Sequence, residues 1–313
     1  MAHSTLKATP IDAVILWVDG NDKKHQAKIL PHLNNANGIN SLSFNNRFKQ
    51  VNEIKFAVDS IYKFAPYIRN IFIVTDNQTP HFLKTKSNNN YNKVSIVDHK
   101  TIFKDYEHLL PTFNSRSIET FMFRIPNLAE HFVYFNDDFF LINKTVRTDF
   151  FKEGLPVLRG KWLNFDNNSF VKKFKKPRVG HKTAQQKGAK IAGFKNYYNF
   201  HHTPHPFRKA TFEACFKANK NLFLENAKYK LRSGDQILMQ SLINHTEIKN
   251  KSCVLKKDIE LLFFRSYKKP LIWYKFLLTT KGKNKKFLTL QNLDRCPTNI
   301  LPFILKWITK RTL

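Results

Sequence analysis

The sequence has few cysteines, few acidic residues and no long apolar run, and each shortage excludes a class of protein. The three cysteines, Cys215, Cys253 and Cys296, show no paired spacing, which argues against a cysteine metal signature and a disulfide framework and favours a reducing compartment. The apolar run AVIL near the N-terminus is too short for a signal peptide. No stretch approaches the roughly 18 apolar residues that span a bilayer. We therefore expect a cytoplasmic protein that could also contact the inner membrane face peripherally.

Acidic residues are scarce relative to basic ones. The 313 residues contain 23 Asp and Glu against 53 Lys and Arg, which gives a formal net charge of +30. Such an excess attracts anions, and nucleic acid, an anionic membrane surface and phosphorylated substrates or polymers all qualify. Composition alone does not choose among the three. The 42% of hydrophobic residues is typical of a folded protein, and the length suffices for one large or two modest domains.

The first 140 residues alternate between short apolar runs and helical patterns. We predict strands in DAVILWVDGND, RNIFIVTDN, NKVSIVDHK and HFVYFNDD. NEIKFAVDSIYKF carries apolar residues at helical spacing, and Asn114 or Ser115 is a plausible cap for a second helix. This alternation predicts an α/β fold with a mainly parallel central sheet and flanking helices.

The second half of the chain has a different character. We predict a catalytic α/β domain over residues 1–250, with a basic loop insertion at about 166–196 that contains FVKKFKKPR. FRKATFEACFKANKNLFLEN and SGDQILMQSLIN predict amphipathic helices, the latter capped by Ser233. Residues 251–313 mix basic with apolar residues. This composition predicts a basic helical segment that associates with a membrane or with an acceptor substrate. RSYKKPLIWYKFLL could lie at a membrane interface, although a solvated basic surface is the alternative.

Acidic side chains gather where the predicted strands end, namely Asp19, Asp22, Asp76, Asp98, Asp137 and Asp138. Ligands of parallel sheets bind outside the carboxyl ends of the strands. Turn formation and helix capping explain Asp76 and Asp98 equally well. The adjacent pair Asp137–Asp138 suits Mg²⁺ or Mn²⁺, which takes oxygen ligands and keeps bridging phosphates. Nucleotide-sugar enzymes commonly hold the donor diphosphate through such a pair.

Two later motifs contain further candidates. FHHTPHPFRKA supplies His201, His202 and His205, but no cysteine or HExxH helix supports a zinc site. A histidine here could be a general base, an imidazolium that binds phosphate, or part of a polar loop. In YKLRSGDQI, Arg232 precedes the predicted cap Ser233, where a guanidinium beside free N–H groups would clamp phosphate. A surface arginine is the alternative.

The ordered blocks resemble one family, the Stealth proteins. That family includes bacterial capsular polysaccharide phosphotransferases and the catalytic subunit of the animal lysosomal-enzyme N-acetylglucosamine-1-phosphotransferase. IDAVILWVDGND is similar to its first signature block, and the stretch from NRFKQVNEIKFAVDS to FVYFNDDFFL is similar to its second. HHTPHPFRK together with YKLRSGDQ resembles the third block. FLTLQNLD, with Asn292 and Asp294, resembles a shortened fourth block.

The resemblance implies a nucleotide-sugar transferase-like α/β fold and a specific reaction. A hexose- or N-acetylhexosamine-1-phosphate would move from a nucleotide sugar, expected to be a UDP-sugar, to a hydroxyl of a bacterial capsule or surface polysaccharide. The products would be a phosphodiester and a nucleoside monophosphate. Asp137 and Asp138 would hold Mg²⁺ or Mn²⁺ on the diphosphate, and Arg232 would stabilise charge on the phosphoryl group. His202 or Asp19 would take the acceptor proton, and the choice between them stays open.

The resemblance also suggests which polar residues bind substrate: Arg47, Asn52, Asn114, Asn136, His205 and Asp235. The implied acceptor is an anionic glycan, which gives the basic surface a partner. A nucleic-acid partner is not expected, because no RRM, KH or helix-turn-helix pattern is present. The alternative function is a conventional metal-dependent glycosyltransferase, which would share the aspartate pair but release a nucleoside diphosphate.

Overall fold

The computed structural model describes residues 9–33, 51–84, 88–165 and 180–312. The strands within these ranges are β1 Ile11–Leu16, β2 Ile68–Thr75, β3 Val94–Asp98, β4 His131–Asn136, β5 Phe139–Leu141, β6 Phe151–Lys152, β7 Leu155–Asn164, β8 Asn196–Phe200, β9 His205–Arg208, β10 Val254–Lys256, β11 Leu261–Phe264 and β12 Phe287–Leu290. The α-helices are α1 Lys23–Ile29, α2 Glu53–Phe64, α3 His81–Lys84, α4 His99–Ile102, α5 Ser115–Glu119, α6 His181–Ile191, α7 Lys209–Ala218, α8 Lys220–Ala227, α9 Met239–Lys249, α10 Leu271–Thr280 and α11 Leu301–Thr312.

A five-stranded sheet in the order β3-β2-β1-β4-β9 forms the centre of the molecule. The first four strands run parallel and β9 pairs antiparallel with β4. In register, Ile15 of β1 lies between Ile73 of β2 and Phe135 of β4. The predicted mainly parallel α/β fold and its four strands are therefore confirmed.

Both faces of this sheet are covered, which explains why β1 is apolar at almost every position. Ile15 and its alternate neighbours contribute to one hydrophobic cluster, and Val14 contributes to a second cluster on the other face. The apolar stripe of α2, including Val58, packs in the first cluster. Phe212 of α7 and Ile243 of α9 belong to the second. The predicted amphipathic helix over residues 53–64 is confirmed.

The C-terminal part joins the first of these clusters. β11 pairs parallel with β12, and β12 pairs antiparallel with β5, which directly follows the Asp137–Asp138 turn. Leu288 of β12 and Tyr274 of α10 are fully buried in the cluster that also contains α2. Residues 251–312 therefore share a hydrophobic core with residues before 250, and the division near residue 250 stays a prediction.

Two helix predictions require correction. The predicted helix at SGDQILMQSLIN begins only at Met239, and its flanking residue Leu238 makes no side-chain cap. Ser233 instead lies in a turn, where its hydroxyl accepts a hydrogen bond from Asp235 N and its own N–H donates to Gln236 Oε1. The predicted helix at FRKATFEACFKANKNLFLEN is two helices, α7 and α8, that break at Asn219.

Other predictions from the sequence have direct outcomes. All three cysteines are free thiols, as their spacing predicted. Residues 180–196 of the predicted basic insertion include α6, whereas FVKKFKKPR lies outside the described residues. Among the described residues, no helix combines the length and apolarity needed to cross a bilayer.

Candidate active site

One cavity of about 350 Å³ opens at the carboxyl ends of β1, β4 and β12. The chain leaving β1 contributes Trp17 and Val18 to its wall, and the turn after β4 contributes Asp137 and Asp138. The residues after β12 contribute a third side. Parallel strands end together at one edge of a sheet, so side chains distant in sequence converge there.

Five carboxylates line this cavity: Glu53, Asp76, Asp137, Asp138 and Asp294. Burial raises the pKa of Asp137 to about 6. Burial, together with the charges of Asp137 and Glu53, raises the pKa of Asp138 to about 8. Burial and the charges of Asp137 and Asp294 raise the pKa of Glu53 to about 7. The carboxylates therefore repel one another electrostatically, and a cation among them would relieve that repulsion.

The carboxylates of the cavity fit a hard divalent cation whose other coordination positions stay open to water and substrate. Within the described ranges, no three His, Cys, Asp or Glu side chains are grouped to form a metal cage. Two adjacent carboxylates remain, and Mg²⁺ typically takes one or two carboxylates, with water and substrate phosphate filling the other positions. Asp137 and Asp138 could hold such an ion. The same result gives no support for zinc on His201, His202 and His205.

The sequence-based interpretation did not include Glu53 among the site residues. Glu53 is the first residue of α2, where an acidic side chain is ordinary because it favours the helix dipole. Here Glu53 is buried and its carboxylate accepts a hydrogen bond from Val51 N at 2.6 Å. Its preceding residue, Asn52, adopts a left-handed conformation with φ of 67°. The sequence signal that could have identified Glu53 is its position in the block that resembles the second Stealth signature.

His202 lies in the loop between β8 and β9, and its side chain lines the cavity. Its carbonyl oxygen accepts a hydrogen bond from Thr289 Oγ1 at 2.7 Å, which ties this loop to β12. The imidazole lies 4.8 Å, between ring centroids, from both Phe263 and His181. Burial and the positive charge of Arg265 lower the pKa of His202 to about 4. The ring is therefore neutral at neutral pH, which suits a proton acceptor better than an imidazolium that binds phosphate.

Arg232 reaches the cavity from the segment before α9. Its Nη2 donates to Ser115 Oγ at 2.9 Å, and its positive charge partly offsets the raised pKa of Asp138. The segment that carries Arg232 is held by Asn114, whose fully buried amide donates to Leu231 O and to Gln236 Oε1. Asn114 also caps α5, as predicted, by accepting a hydrogen bond from Arg116 N. Asn114 therefore helps to position the segment that carries Arg232.

The structure brings five of the predicted site residues to this cavity: Asn136, Asp137, Asp138, His202 and Arg232. Others lie apart from its wall. Asp19 accepts a hydrogen bond from Asn21 N in a turn, and Asp235 is exposed in the Ser233 turn. His205 is buried against the Gln240 amide, and Arg47 lies outside the described residues. The substrate roles of Arg47, Asn52, Asn114, His205 and Asp235 stay predictions.

Two other strand-end acids, Asp98 and Asp76, make different contacts. Asp98 caps α4 and accepts a hydrogen bond from Lys100 N. Asp76 forms an ion pair with Lys28 at 2.8 Å and also lines the cavity. His99, which sequence reasoning did not single out, lines the cavity with its buried Nε2 atom lacking a hydrogen-bond partner.

Comparisons with known proteins agree with the resemblance. The family model described as Stealth protein conserved region 2 matches residues 47–157, and the model of conserved region 1 matches residues 9–31. The chain is 30% identical over 291 residues to a capsular polysaccharide phosphotransferase of Actinobacillus suis, covering 89% of this chain and 75% of that protein.

Two other relatives match over a shorter region. A capsular polysaccharide phosphotransferase of Haemophilus influenzae is 46% identical over 144 residues, which is 46% of this chain and 38% of that protein. An exopolysaccharide phosphotransferase of Lactiplantibacillus plantarum is 42% identical over 147 residues, which is 47% of this chain and 41% of that protein. These alignments thus span less than half of the length of each of the two relatives.

Proposed function

Because the chain belongs to the Stealth protein family, we propose that it is a phosphotransferase of capsule or exopolysaccharide synthesis that moves a hexose- or N-acetylhexosamine-1-phosphate from a nucleotide sugar to a glycan hydroxyl. The relatives are named capsular and exopolysaccharide phosphotransferases. The observation that carries the proposal is the convergence of the Asp137–Asp138 pair, a neutral His202 and Arg232 on one cavity. Phosphoryl transfer requires mainly positioning and charge neutralisation, which these side chains supply.

In the proposed reaction, an acceptor hydroxyl oxygen attacks the β-phosphorus of the donor. The bond from that phosphorus to the oxygen bridging the α-phosphate breaks, and the electron pair leaves with the nucleoside monophosphate. His202 accepts the hydroxyl proton, because its lowered pKa keeps it neutral before the reaction. Arg232 faces the oxygens of the transferred group, where guanidinium donors suit a phosphoryl centre.

In this proposal, the carboxylates would hold a divalent cation that binds the donor. Mg²⁺ or Mn²⁺, when bound, would neutralise the diphosphate. Asp137 and Asp138 would hold that ion, and Glu53 and Asp294 extend the negative surface beside it. Between the two candidate bases, geometry favours His202, which lines the cavity, over Asp19, whose carboxylate serves a turn. We take the donor to be a UDP-sugar and the acceptor to be an anionic glycan, which the net charge of +30 would attract.

The test is a screen of nucleotide sugars with Mg²⁺ and acceptor oligosaccharides, with products identified by mass spectrometry. We expect a phosphodiester product and equimolar nucleoside monophosphate. A conventional glycosyltransferase would release a nucleoside diphosphate instead, and that product would overturn the proposal. Asp138→Asn should abolish turnover, whereas Glu225→Gln, which changes an exposed carboxylate on α8, should not.

A further inference from the structure

The outward face of α10 is unusually apolar for a surface helix. Ile272 is 70% exposed and Phe276 is 58% exposed, and residues four apart lie on the same side of a helix. Trp273, which is 38% exposed, lies beside them. Scattered single apolar residues on a surface are normal, but three neighbours on one ten-residue helix form a patch.

The exposure of this face is fixed by packing on the opposite side of the helix. Tyr274 and Leu278 are buried in the main hydrophobic cluster. The Tyr274 hydroxyl donates to Ser266 O at 3.1 Å and accepts from Lys269 N at 3.3 Å, which fixes the loop that leads into the helix. Because one face of α10 is anchored in the core, Ile272 and Phe276 cannot rotate inward without removing Tyr274 from it.

The surroundings of the patch are strongly basic. Residues 265–286 contain one arginine, seven lysines and no acidic residue. The exposed members are Arg265, Lys268, Lys269, Lys275, Lys281 and Lys283. An apolar patch with basic residues on both sides along the chain is complementary to a surface that is apolar inside and anionic outside.

We propose that α10 docks on the surface of an anionic lipid bilayer. Ile272 and Phe276 would enter the region between headgroups and acyl chains, Trp273 would lie at the interface, and the lysines would approach the lipid phosphates. A second copy of this chain is disfavoured as the partner, because pairing two such faces would bring together the six exposed positive charges of each copy, twelve in all. A soluble polyanion would satisfy the lysines but would leave Ile272 and Phe276 in water.

The segment that leads into α10 begins next to the cavity. β11 ends at Phe264, whose carbonyl accepts a hydrogen bond from Gln291 N, and Gln291 lines the cavity. Arg265 follows directly, and its charge lowers the pKa of His202. Docking through α10 would therefore bring the cavity close to the bilayer surface, where a membrane-attached glycan could reach it.

Vesicle flotation with the full chain tests the apolar part of the proposal. We expect binding to vesicles of phosphatidylcholine with phosphatidylglycerol, and at least tenfold weaker binding to pure phosphatidylcholine. Ile272→Ser/Phe276→Ser should weaken binding to the anionic vesicles by about tenfold or more, since two apolar side chains no longer leave water. The matched control is Val146→Ser/Ile191→Ser, which changes exposed apolar residues elsewhere and should bind as the wild type does.

A second pair of variants tests the charges. Lys281→Gln/Lys283→Gln should weaken anionic-vesicle binding by about tenfold, whereas Lys217→Gln/Lys220→Gln on the α7–α8 surface should not. Unfolding temperatures equal to that of the wild type show that all variants fold. The proposal is overturned if the Ser variant binds vesicles normally. A second contradicting result would be a wild type that forms a concentration-dependent dimer instead of binding vesicles, and a Ser variant that no longer forms this dimer. That result would identify the apolar patch as a self-association face. A finding that only soluble polyphosphate binds the basic residues would also overturn the proposal.

Discussion

At the scale of single residues, the two candidate bases, His202 and Asp19, differ in where their side chains lie. His202 has its ring in the cavity and a depressed pKa, whereas the Asp19 carboxylate accepts a hydrogen bond within its own turn. We expect His202→Ala to lower kcat/KM by about 10²- to 10⁴-fold, because general-base catalysis is lost. Asp19→Ala should cost less than about tenfold. Steady-state kinetics with the screened donor measure both.

The control for this comparison is His108→Ala, which removes an exposed histidine and should leave the kinetics unchanged. Added imidazole should restore part of the His202→Ala activity, because a small base can occupy the space of the missing ring. A purely structural role for His202 would show no such rescue. Equal losses for His202→Ala and Asp19→Ala would contradict the assignment of the base.

The carboxylate cluster leads to a prediction about metal. Burial, and after it the charges of neighbouring carboxylates, raise the pKa values of Asp138 and Glu53, so a bound cation should stabilise the folded protein. We expect millimolar Mg²⁺ to raise the unfolding free energy by about 1–3 kcal/mol, and chelation to remove the gain. Thermal unfolding of the wild type, Asp138→Asn and Glu225→Gln, with and without Mg²⁺, measures this gain in unfolding free energy. The gain should vanish in Asp138→Asn and persist in Glu225→Gln, and a wild type insensitive to Mg²⁺ would refute the cation site.

At the scale of elements, α9 is connected to β8 through a buried histidine. His245 is fully buried, its Nε2 accepts from Tyr198 N at 3.0 Å, and its Nδ1 lies 2.7 Å from Ser241 O. Burial lowers the pKa of His245 from 6.5 to about 4. A histidine held neutral in the folded state contributes stability that is full above pH 6.5 and is lost as the pH falls through about 4.

This connection gives a prediction for acid unfolding. At pH 7 we expect His245→Gln to lose about 1–3 kcal/mol of unfolding free energy, because one or both hydrogen bonds weaken. Between pH 6.5 and 4 the wild type should lose about 2–3 kcal/mol more than the variant, because only the wild type must protonate a buried imidazole, so the difference should vanish or reverse in sign. Urea unfolding across this pH range tests it, with His108→Gln as the exposed control. A difference that stays constant with pH would show that His245 does not titrate as stated.

The elements also show what the sequence could predict. Strands such as β1 and the stripe of α2 follow from local apolar patterns, because both faces of a parallel sheet and one face of its helix must be buried. The predicted start of α9 was wrong: Ser233 is a typical capping residue, but here its N–H donates to Gln236 Oε1 within a turn, and Arg116 Nη1 from α5 donates to its carbonyl oxygen. Glu53 was missed for a related reason, since only the folded sheet brings the start of α2 beside Asp137. Long-range proximity of this kind has no local signal.

At the scale of the whole molecule, the C-terminal part completes the site. Leu290 N of β12 donates to Asp138 O at 3.1 Å, so the strand supports the backbone of the aspartate turn. Thr289 holds the carbonyl of His202, and Asp294 adds a carboxylate to the cavity. The Asp137–Asp138 turn, the His202 loop and the C-terminal strand β12 are thus joined by direct contacts.

The predicted division at residue 250 can therefore be tested by truncation. A chain that ends at residue 250 leaves Phe139 and Phe140 of β5 without their partner strand and removes Leu288 and Tyr274 from the core. Exposing large apolar side chains that are normally buried costs about 1.5–3 kcal/mol each, which exceeds the stability of most domains when summed over this cluster. We expect the truncated chain to lose cooperative unfolding in urea and to lose nucleotide-sugar binding.

The matched comparison ends the chain at residue 300, which removes only α11 and should retain part of the cooperative transition. Cooperative unfolding of residues 1–250 with intact donor binding would instead establish an independent catalytic domain and leave the C-terminal strands with a peripheral role.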